Sequence, residues 1–382
     1  MDIDLADRLT RWRRQLHANP EVSLDERDTA AFVCTRLQEM GIPFTPDVGG
    51  HGVVATLTRG DSSRAVGLRA DMDALPITET TGLSYASTRP GVMHACGHDG
   101  HTVSLLGAAA LLARDPGWSG TVQLVFQPAE EGAGGAKAMV AEGLFQRFPM
   151  DRIFGYHNWP GISAGTAVVH HGPVMAGGAR VTITLEGVAG HAAMPHLTRD
   201  PMLAAGHLLV ALQSIVAREV DPLETAVVSM CVVEGGRATN QIPHEVTLRG
   251  TARTFKLEVR DRVAASINRI ARGIAATFDM RAAVDVTSGM GPVMNTAAEA
   301  ELAAAAAAET GMPVRRDVPP SMASEDFGRF LAERPGAFLW IGNGPAQDGA
   351  GLHNPGYDFN DAILPVAAGC LAGIAKRALA AA

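Results

Sequence analysis

The sequence predicts an α/β fold interrupted by a smaller α+β domain, and three observations lead there. Strand-like runs alternate with helical periodicity from Val53 to Tyr156, the order of a mostly parallel sheet flanked by helices. After the glycine-rich Ala176-Gly177-Gly178 the order becomes β-α-β-β-α-β, a ferredoxin-like signature. From about Pro292 the α/β character returns. The chain of 382 residues is therefore expected to form a discontinuous domain, residues 1–178 with 292–382, and an inserted domain, residues 179–291.

Leu5, Leu9, Trp12 and Leu16 recur at helical spacing, so an amphipathic helix is expected up to Pro20. A second helix is expected over about Thr29 to Met40, stopped by Gly41. Trp12 and Phe32 fall on the apolar faces and read as core. Strands follow at Val53 to Leu57, Ala65 to Leu68, Thr121 to Phe126 and Arg152 to Tyr156. Helices are expected between them, over Thr102 to Ala113 and Ala133 to Glu142. The inserted domain reads as strand Arg180 to Val188, helix Pro201 to Glu219, strands Thr225 to Val233 and Glu245 to Phe255, helix Leu257 to Phe278, and strand Arg281 to Val286. Glu299 to Glu309 is alanine-dominated and reads as an ordinary helix, since alanine is the best helix former. Strand Ala337 to Ile341, a Gly/Asn/Pro loop around His353 and a helix from about Asp361 complete the pattern.

Hydrophobic residues make up 47% of the chain and charged residues 19%, enough apolar material for a sizeable core. A net charge of -8 and a pI near 5.9 argue against nucleic acid or anionic membranes as partners. No run approaches the roughly 20 apolar residues of a membrane span. The four cysteines, Cys34, Cys96, Cys231 and Cys370, form no Cys-x-x-Cys pair, and Asp2, Asp4 and Asp7 do not suit a targeting leader. Reduced thiols in a cytoplasmic protein are the expectation.

The chemistry concentrates at strand ends, where sites in open α/β sheets form. One strand leads into Arg69-Ala-Asp-Met-Asp73, the next into Gln127-Pro-Ala-Glu-Glu131, and another into His157-Asn-Trp-Pro160. Between them lies Met93-His-Ala-Cys-Gly-His-Asp-Gly-His101. Cys96 and His98, two apart, are read as sharing one side of an extended loop, and thiolate with imidazole suits a borderline-soft divalent metal. Adjacent residues in an extended segment point to opposite sides. Of Glu130 and Glu131, one can therefore bind metal while the other takes a proton from an activated water. His157 gains weight from its strand end and His353 from its constrained loop. His170 and His171 read as a solvated pair, and His207 and His244 match nothing catalytic.

These stretches, with Gly190-His-Ala-Ala-Met-Pro-His196, Gly250-Thr-Ala-Arg-Thr-Phe255, Ser324-Glu-Asp-Phe327 and His353-Asn-Pro-Gly-Tyr-Asp-Phe-Asn-Asp361, occur in an order that carries a resemblance. The chain resembles the hippurate hydrolase and auxin-conjugate hydrolase branch of the aminoacylase/carboxypeptidase metallopeptidase superfamily, over nearly its whole length. The resemblance implies a two-metal site with Cys96, His98, Glu131, His157 and His353 as ligands and Glu130 as general base. Asp73 matches the aspartate that orients a ligand in the wider superfamily. Asp71 stands where a histidine ligand does there, which fits a branch that supplies Cys96 instead and leaves the role of Asp71 open. The inserted domain resembles the family's lid and dimerisation domain. His191 matches the histidine that assists the carbonyl oxygen, often from a partner subunit, and Asn240 and Arg253 are candidates for gripping a substrate carboxylate. His94, Asp99 and His101 default to orienting or loop-shaping roles, and His196 is left unassigned.

The expectation is a metal-dependent amidohydrolase acting on N-acyl amino acids, with two divalent ions per subunit (zinc, manganese, cobalt or nickel) and a homodimer or higher homo-oligomer. One rival is a dipeptidase or carboxypeptidase using the same site. The other is a non-catalytic metal protein, which predicts closed ligation with no carboxylate left over for proton transfer.

Overall fold

The computed structural model describes residues 3–132, 134–346 and 349–381. It divides into two compact units. The first comprises Met1–Val174, Met294–Pro320 and Asp326–Ala382, and the second comprises Met175–Val293 with Ser321–Glu325.

The first unit is built on an eight-stranded sheet. Its centre is four parallel strands in the spatial order Gly120–Gln127, Ala65–Asp71, Arg152–Pro160, Gly336–Gly344. Antiparallel pairing appears on both flanks, where Val53–Arg59 joins Gly120–Gln127 and the short Ala167–Val168 joins Gly336–Gly344. The parallel strands are buried almost end to end, the run of apolar residues expected when helices cover both faces. Helices Ile3–Ala18, His98–Arg114 and Leu364–Ala380 contribute Leu9, Leu105, Leu106, Leu371 and Ile374 to one core with Leu68, Leu124, Phe154 and Leu339. Chain order and spatial order diverge at Ala65–Asp71. The next strand pairs on one side of it and the following one on the other. That switch point opens a crevice beyond the carboxyl ends of the strands.

The second unit is a four-stranded antiparallel sheet of Gly177–Glu186, Ala226–Gly235, Glu245–Thr254 and Arg281–Ser288. Numbered in chain order, these four lie 2-3-1-4, the ferredoxin-like arrangement. Helices Pro201–Ser214 and Leu257–Thr277 cover it through Ala204, Leu208, Leu212, Val263, Ile267 and Ala271. Ser321–Glu325 joins this unit because the N–H of Ala176 donates to the carbonyls of Ser321 and Ala323, each at 3.0 Å.

Some expectations shift. His98 opens a helix, so Cys96 and His98 do not share an extended loop: Gly97 at φ +88° turns the chain between them. His157 to Pro160 lie inside their strand, not beyond it. The expected helix start at Ala133 lies outside the described residues, and the helix runs Gly135–Ala141. His170 is not solvated. It is buried, its Nε2 stands 2.9 Å from the Val318 carbonyl, and its ring meets Trp340. Against the expectation of no membrane-span run, Pro201–Glu219 and Asp361–Ala380 are long and apolar enough to cross a membrane by length and composition alone. Each packs an apolar face into the core of its own unit.

Candidate active site

Three strand ends and two loops build the site within the first unit. Strand Ala65–Asp71 carries two aspartates in different directions, because Asp71 ends the strand and Asp73 lies just past it. Asp73 Oδ1 lies 3.2 Å from His98 Nδ1, while Oδ2 accepts the Ser23 hydroxyl at 2.6 Å and the Glu131 N–H at 3.0 Å. Asp71 turns to His101, with Oδ1 2.6 Å from Nδ1, and takes Arg69 Nη1 at 2.7 Å on its other oxygen. Burial works against its charge, but His98, Arg69 and His101 outweigh that and hold Asp71 well below the usual carboxylate range.

The glycine turn at Gly97 separates Cys96 from His98 and lets the two converge from different backbone directions. Cys96 Sγ is 3.4 Å from His157 Nε2. His157 uses its other nitrogen, Nδ1, against the Asn158 carbonyl at 2.6 Å. Burial, then the neighbouring His101, push its pKa well down, so the ring is neutral and its Nε2 lone pair faces the site. Asn158 joins the parts: its side chain donates to the Cys96 carbonyl at 2.7 Å and accepts the Tyr357 hydroxyl at 2.7 Å.

Glu130 and Glu131 follow strand Gly120–Gln127 through Pro128 and Ala129. Glu130 is buried, and its Oε1 accepts the Asp326 N–H at 3.2 Å. Glu131 faces the opposite loop, 3.1 Å from His353 Nε2. That loop is pinned by the His353 N–H donating to the Ala95 carbonyl at 2.8 Å, and His353 takes the left-handed conformation at φ +63°. Hydrogen bonds with Cys96 and Glu131 raise His353 to about 10, so the pocket favours positive charge at that point.

The side chains overlap in groups whose ligand atoms lie within 4.8 Å of one another: Cys96 with His98 and His157, Cys96 with Glu131 and His353, and His98 with Glu130 and Glu131. Asp71, His98 and His101 form another such group, but Asp71 and His101 are already committed to each other and to Arg69 and Asn158. The donor set fits divalent metal. Among the described residues His98 Nε2 is buried without a hydrogen-bond partner, while its Nδ1 is held by Asp73, the carboxylate–histidine pairing that prepares an imidazole for a metal. Burial and the Glu131 charge push the Cys96 thiol up, and a cation is what would reverse that.

Residues 67–377 match Peptidase family M20/M25/M40. The chain is 41% identical to hippurate hydrolase of Campylobacter jejuni over 379 residues, covering 99% of this chain and 98% of that one. The chain belongs to the M20/M25/M40 family. It is also 41% identical to N-acetyl-L-cysteine deacetylase of Bacillus subtilis over 96% of this chain and 87% of that one. Among solved M20-family structures, the Bacillus subtilis YXEP protein, described as a dinuclear metal binding peptidase, superposes with a TM-score of 0.89 at 34% identity, each chain covered completely.

The remaining candidates lie in the second unit of this M20 chain. His191 is exposed on the short strand Gly190–His191, which pairs with Gln241–Ile242, and the Ala192 N–H donates to the Asn240 carbonyl at 3.0 Å, so His191 and Asn240 are neighbours. Arg253 stands on another strand opposite Gly178 and Val227, where it donates to Thr251 Oγ1 and the Ala252 carbonyl. Sequence reasoning missed the frame beneath the site. Arg69 Nη2 lies 3.3 Å from Asp326 Oδ1 and Arg69 Nε donates to Gln127 at 2.7 Å, which ties the Asp326 N–H on Glu130 back to the strand ends. Arg69, Gln127 and Asp326 all sit in motifs, but a motif position does not say which neighbour a side chain meets. His94 has both ring nitrogens buried without a hydrogen-bond partner among the described residues, and burial lowers it to about 4.

Proposed function

We propose that this protein is a soluble, cytoplasmic hydrolase that cleaves the amide bond of small N-acyl amino acids, of the hippurate or N-acetyl amino acid kind. Cys96, His98, Glu131, His157 and His353 would hold two divalent ions, and Glu130 would be the general base. One observation carries the reading: Cys96 and Glu131 each belong to two ligand groups and His98 to three, so the groups adjoin, and Glu130 shares one of them with His98 and Glu131.

Bound divalent ions supply Lewis acidity, which lowers the pKa of a coordinated water and polarises an acyl carbonyl. The protein's own groups do the rest. Glu130 takes the water proton as the oxygen attacks the acyl carbon, then returns it to the amide nitrogen as the C–N bond breaks, giving free acid and amine. Asp73 keeps His98 in one orientation throughout. His191 donates to the developing oxyanion, and Asn240 and the Arg253 fork grip the substrate carboxylate. The inserted domain serves as lid and dimerisation surface, and the working form is a homodimer or higher homo-oligomer. Mixed sulfur, nitrogen and oxygen donors admit zinc, manganese, cobalt or nickel.

Peptide cleavage is the second reading, favoured by the family's description as peptidases. A panel of N-benzoyl, N-acetyl and dipeptide substrates, run on apo protein reloaded with each metal, separates the two. N-acyl amino acids should turn over fastest. Equal or faster cleavage of dipeptides would move the assignment to a dipeptidase, and no hydrolysis by fully loaded protein would sink both.

A further inference from the structure

The turn that delivers Glu130 and Glu131 begins at Ala129, which is held in the left-handed region at φ +53°. That region is disfavoured for any residue with a Cβ, so a local contact must maintain it. The Ala129 N–H donates at 2.7 Å to Oε1 of Glu26, a buried carboxyl far upstream in the chain. Glu26 occupies the N-cap of helix Arg27–Glu39, yet its side chain makes no cap bond there. Glu21 does that job instead: its Oε2 accepts the Thr29 N–H at 2.8 Å and the Thr29 hydroxyl at 2.9 Å. Glu26 is thereby left to serve Ala129. On the other side of the turn, the Gly135 N–H donates to the Ala129 carbonyl at 3.0 Å.

We infer that Glu26 is a positioning residue for the base: by accepting the Ala129 N–H it holds the root of the turn at positive φ and so sets the direction in which Glu130 and Glu131 leave the strand. The inference rests on the reading of Glu130 as base and Glu131 as ligand. Two further contacts fix later points, the Glu131 N–H on Asp73 and Glu130 Oε1 under the Asp326 N–H, while Gly135 holds only the carbonyl side of Ala129. Neither fixes the root. Burial pushes the Glu26 carboxyl up to about 7, so glutamine, with the same acceptor oxygen and no charge, is a fair replacement.

The test uses metal-loaded protein carrying Glu26→Ala, Glu26→Leu, Glu26→Gln, or Glu26→Ala combined with Ala129→Gly. Removing the acceptor should lower kcat about 10- to 100-fold with KM moved less than about threefold, the scale of a small misplacement of a reacting group. Zinc affinity, read by competition with a chromophoric chelator, should weaken about 3- to 10-fold because Glu131 loses its direction as well. Glu26→Gln should keep at least about a third of kcat. Glycine reaches positive φ unaided, so Ala129→Gly should restore at least about threefold of what Glu26→Ala loses. Should Glu26→Ala fail to fold, Glu26→Leu fills the space without an acceptor and carries the same expectation. A leucine variant with near wild-type kcat and zinc affinity would overturn the inference, as would glutamine or the glycine double variant failing to recover activity. Glu130→Gln separates the two levels. If that variant stays active, the base assignment has failed; if it is dead while Glu26→Leu is fully active, only the inference about Glu26 has failed.

Discussion

His98 Nδ1 and Asp73 Oδ1 stand 3.2 Å apart, and the second oxygen of the same carboxylate takes the N–H of Glu131. One buried aspartate therefore orients two proposed ligands, His98 at the start of a helix and Glu131 in a loop. Asp73→Asn keeps an oxygen but presents an amide to one of these donors, so metal affinity should fall about 10- to 100-fold. Competition with a chelator measures it. Wild-type affinity in this variant would remove Asp73 from the supporting frame.

Glu130→Gln should bind metal normally and lose about 10²- to 10⁴-fold in kcat with KM little changed, as expected for a general base. Steady-state kinetics and elemental analysis together decide it. Loss of metal along with activity would recast Glu130 as a ligand, since it lies within the His98–Glu130–Glu131 group.

Cys96→Ser should lose metal, because Cys96 belongs to two of the ligand groups. Metal content per chain by atomic emission is the readout. Full metal with no activity would bring back a cysteine nucleophile.

Gly97 has φ +88°, and a Cβ there would sit 2.3 Å from Asn158 Nδ2 and 2.5 Å from the Tyr357 hydroxyl. Gly97→Ala combines left-handed strain of about 1–2 kcal/mol with overpacking of about 1–3 kcal/mol. It should lower the midpoint of urea unfolding and weaken metal binding together, since Gly97 lies between Cys96 and His98. Unchanged unfolding would mean that Asn158 moves aside freely.

His17 is buried with Nδ1 2.8 Å from Asp99 Oδ2, and its pKa rises from 6.5 to about 9. Burial opposes the charge, but the hydrogen bonds to Asp99 and Glu79 outweigh it. A folded-state pKa above the unfolded value means the stabilisation is fully present below about pH 6.5 and is lost as pH rises through about 9. The swing is on the order of 3 kcal/mol. Unfolding free energy measured from pH 6 to 10 should fall over that window, and His17→Gln should flatten the fall. An equally steep profile in the variant would place the titration elsewhere.

Much of this protein can be read from its residues alone. Apolar runs and helical periodicity set the parallel strands and the helices that cover them, because burial on both faces demands continuous hydrophobicity. The β-α-β-β-α-β order was likewise visible, and the four strands take the ferredoxin-like 2-3-1-4 arrangement. Glu130, Glu131 and His157 stood out because such groups at strand ends have few structural uses, and Cys96 because it stands two residues from His98 in a stretch crowded with metal-capable side chains. Only the tertiary structure decided which neighbour each polar group meets. Asp71 turns to His101 and Asp73 to His98, although both leave the same strand two residues apart. His170 is buried against Trp340, and Glu26 reaches Ala129 instead of capping its own helix. The reason is physical: hydrophobic pattern is periodic and survives in one dimension, whereas a buried hydrogen bond depends on the closing of loops tens of residues apart, which no local spacing records.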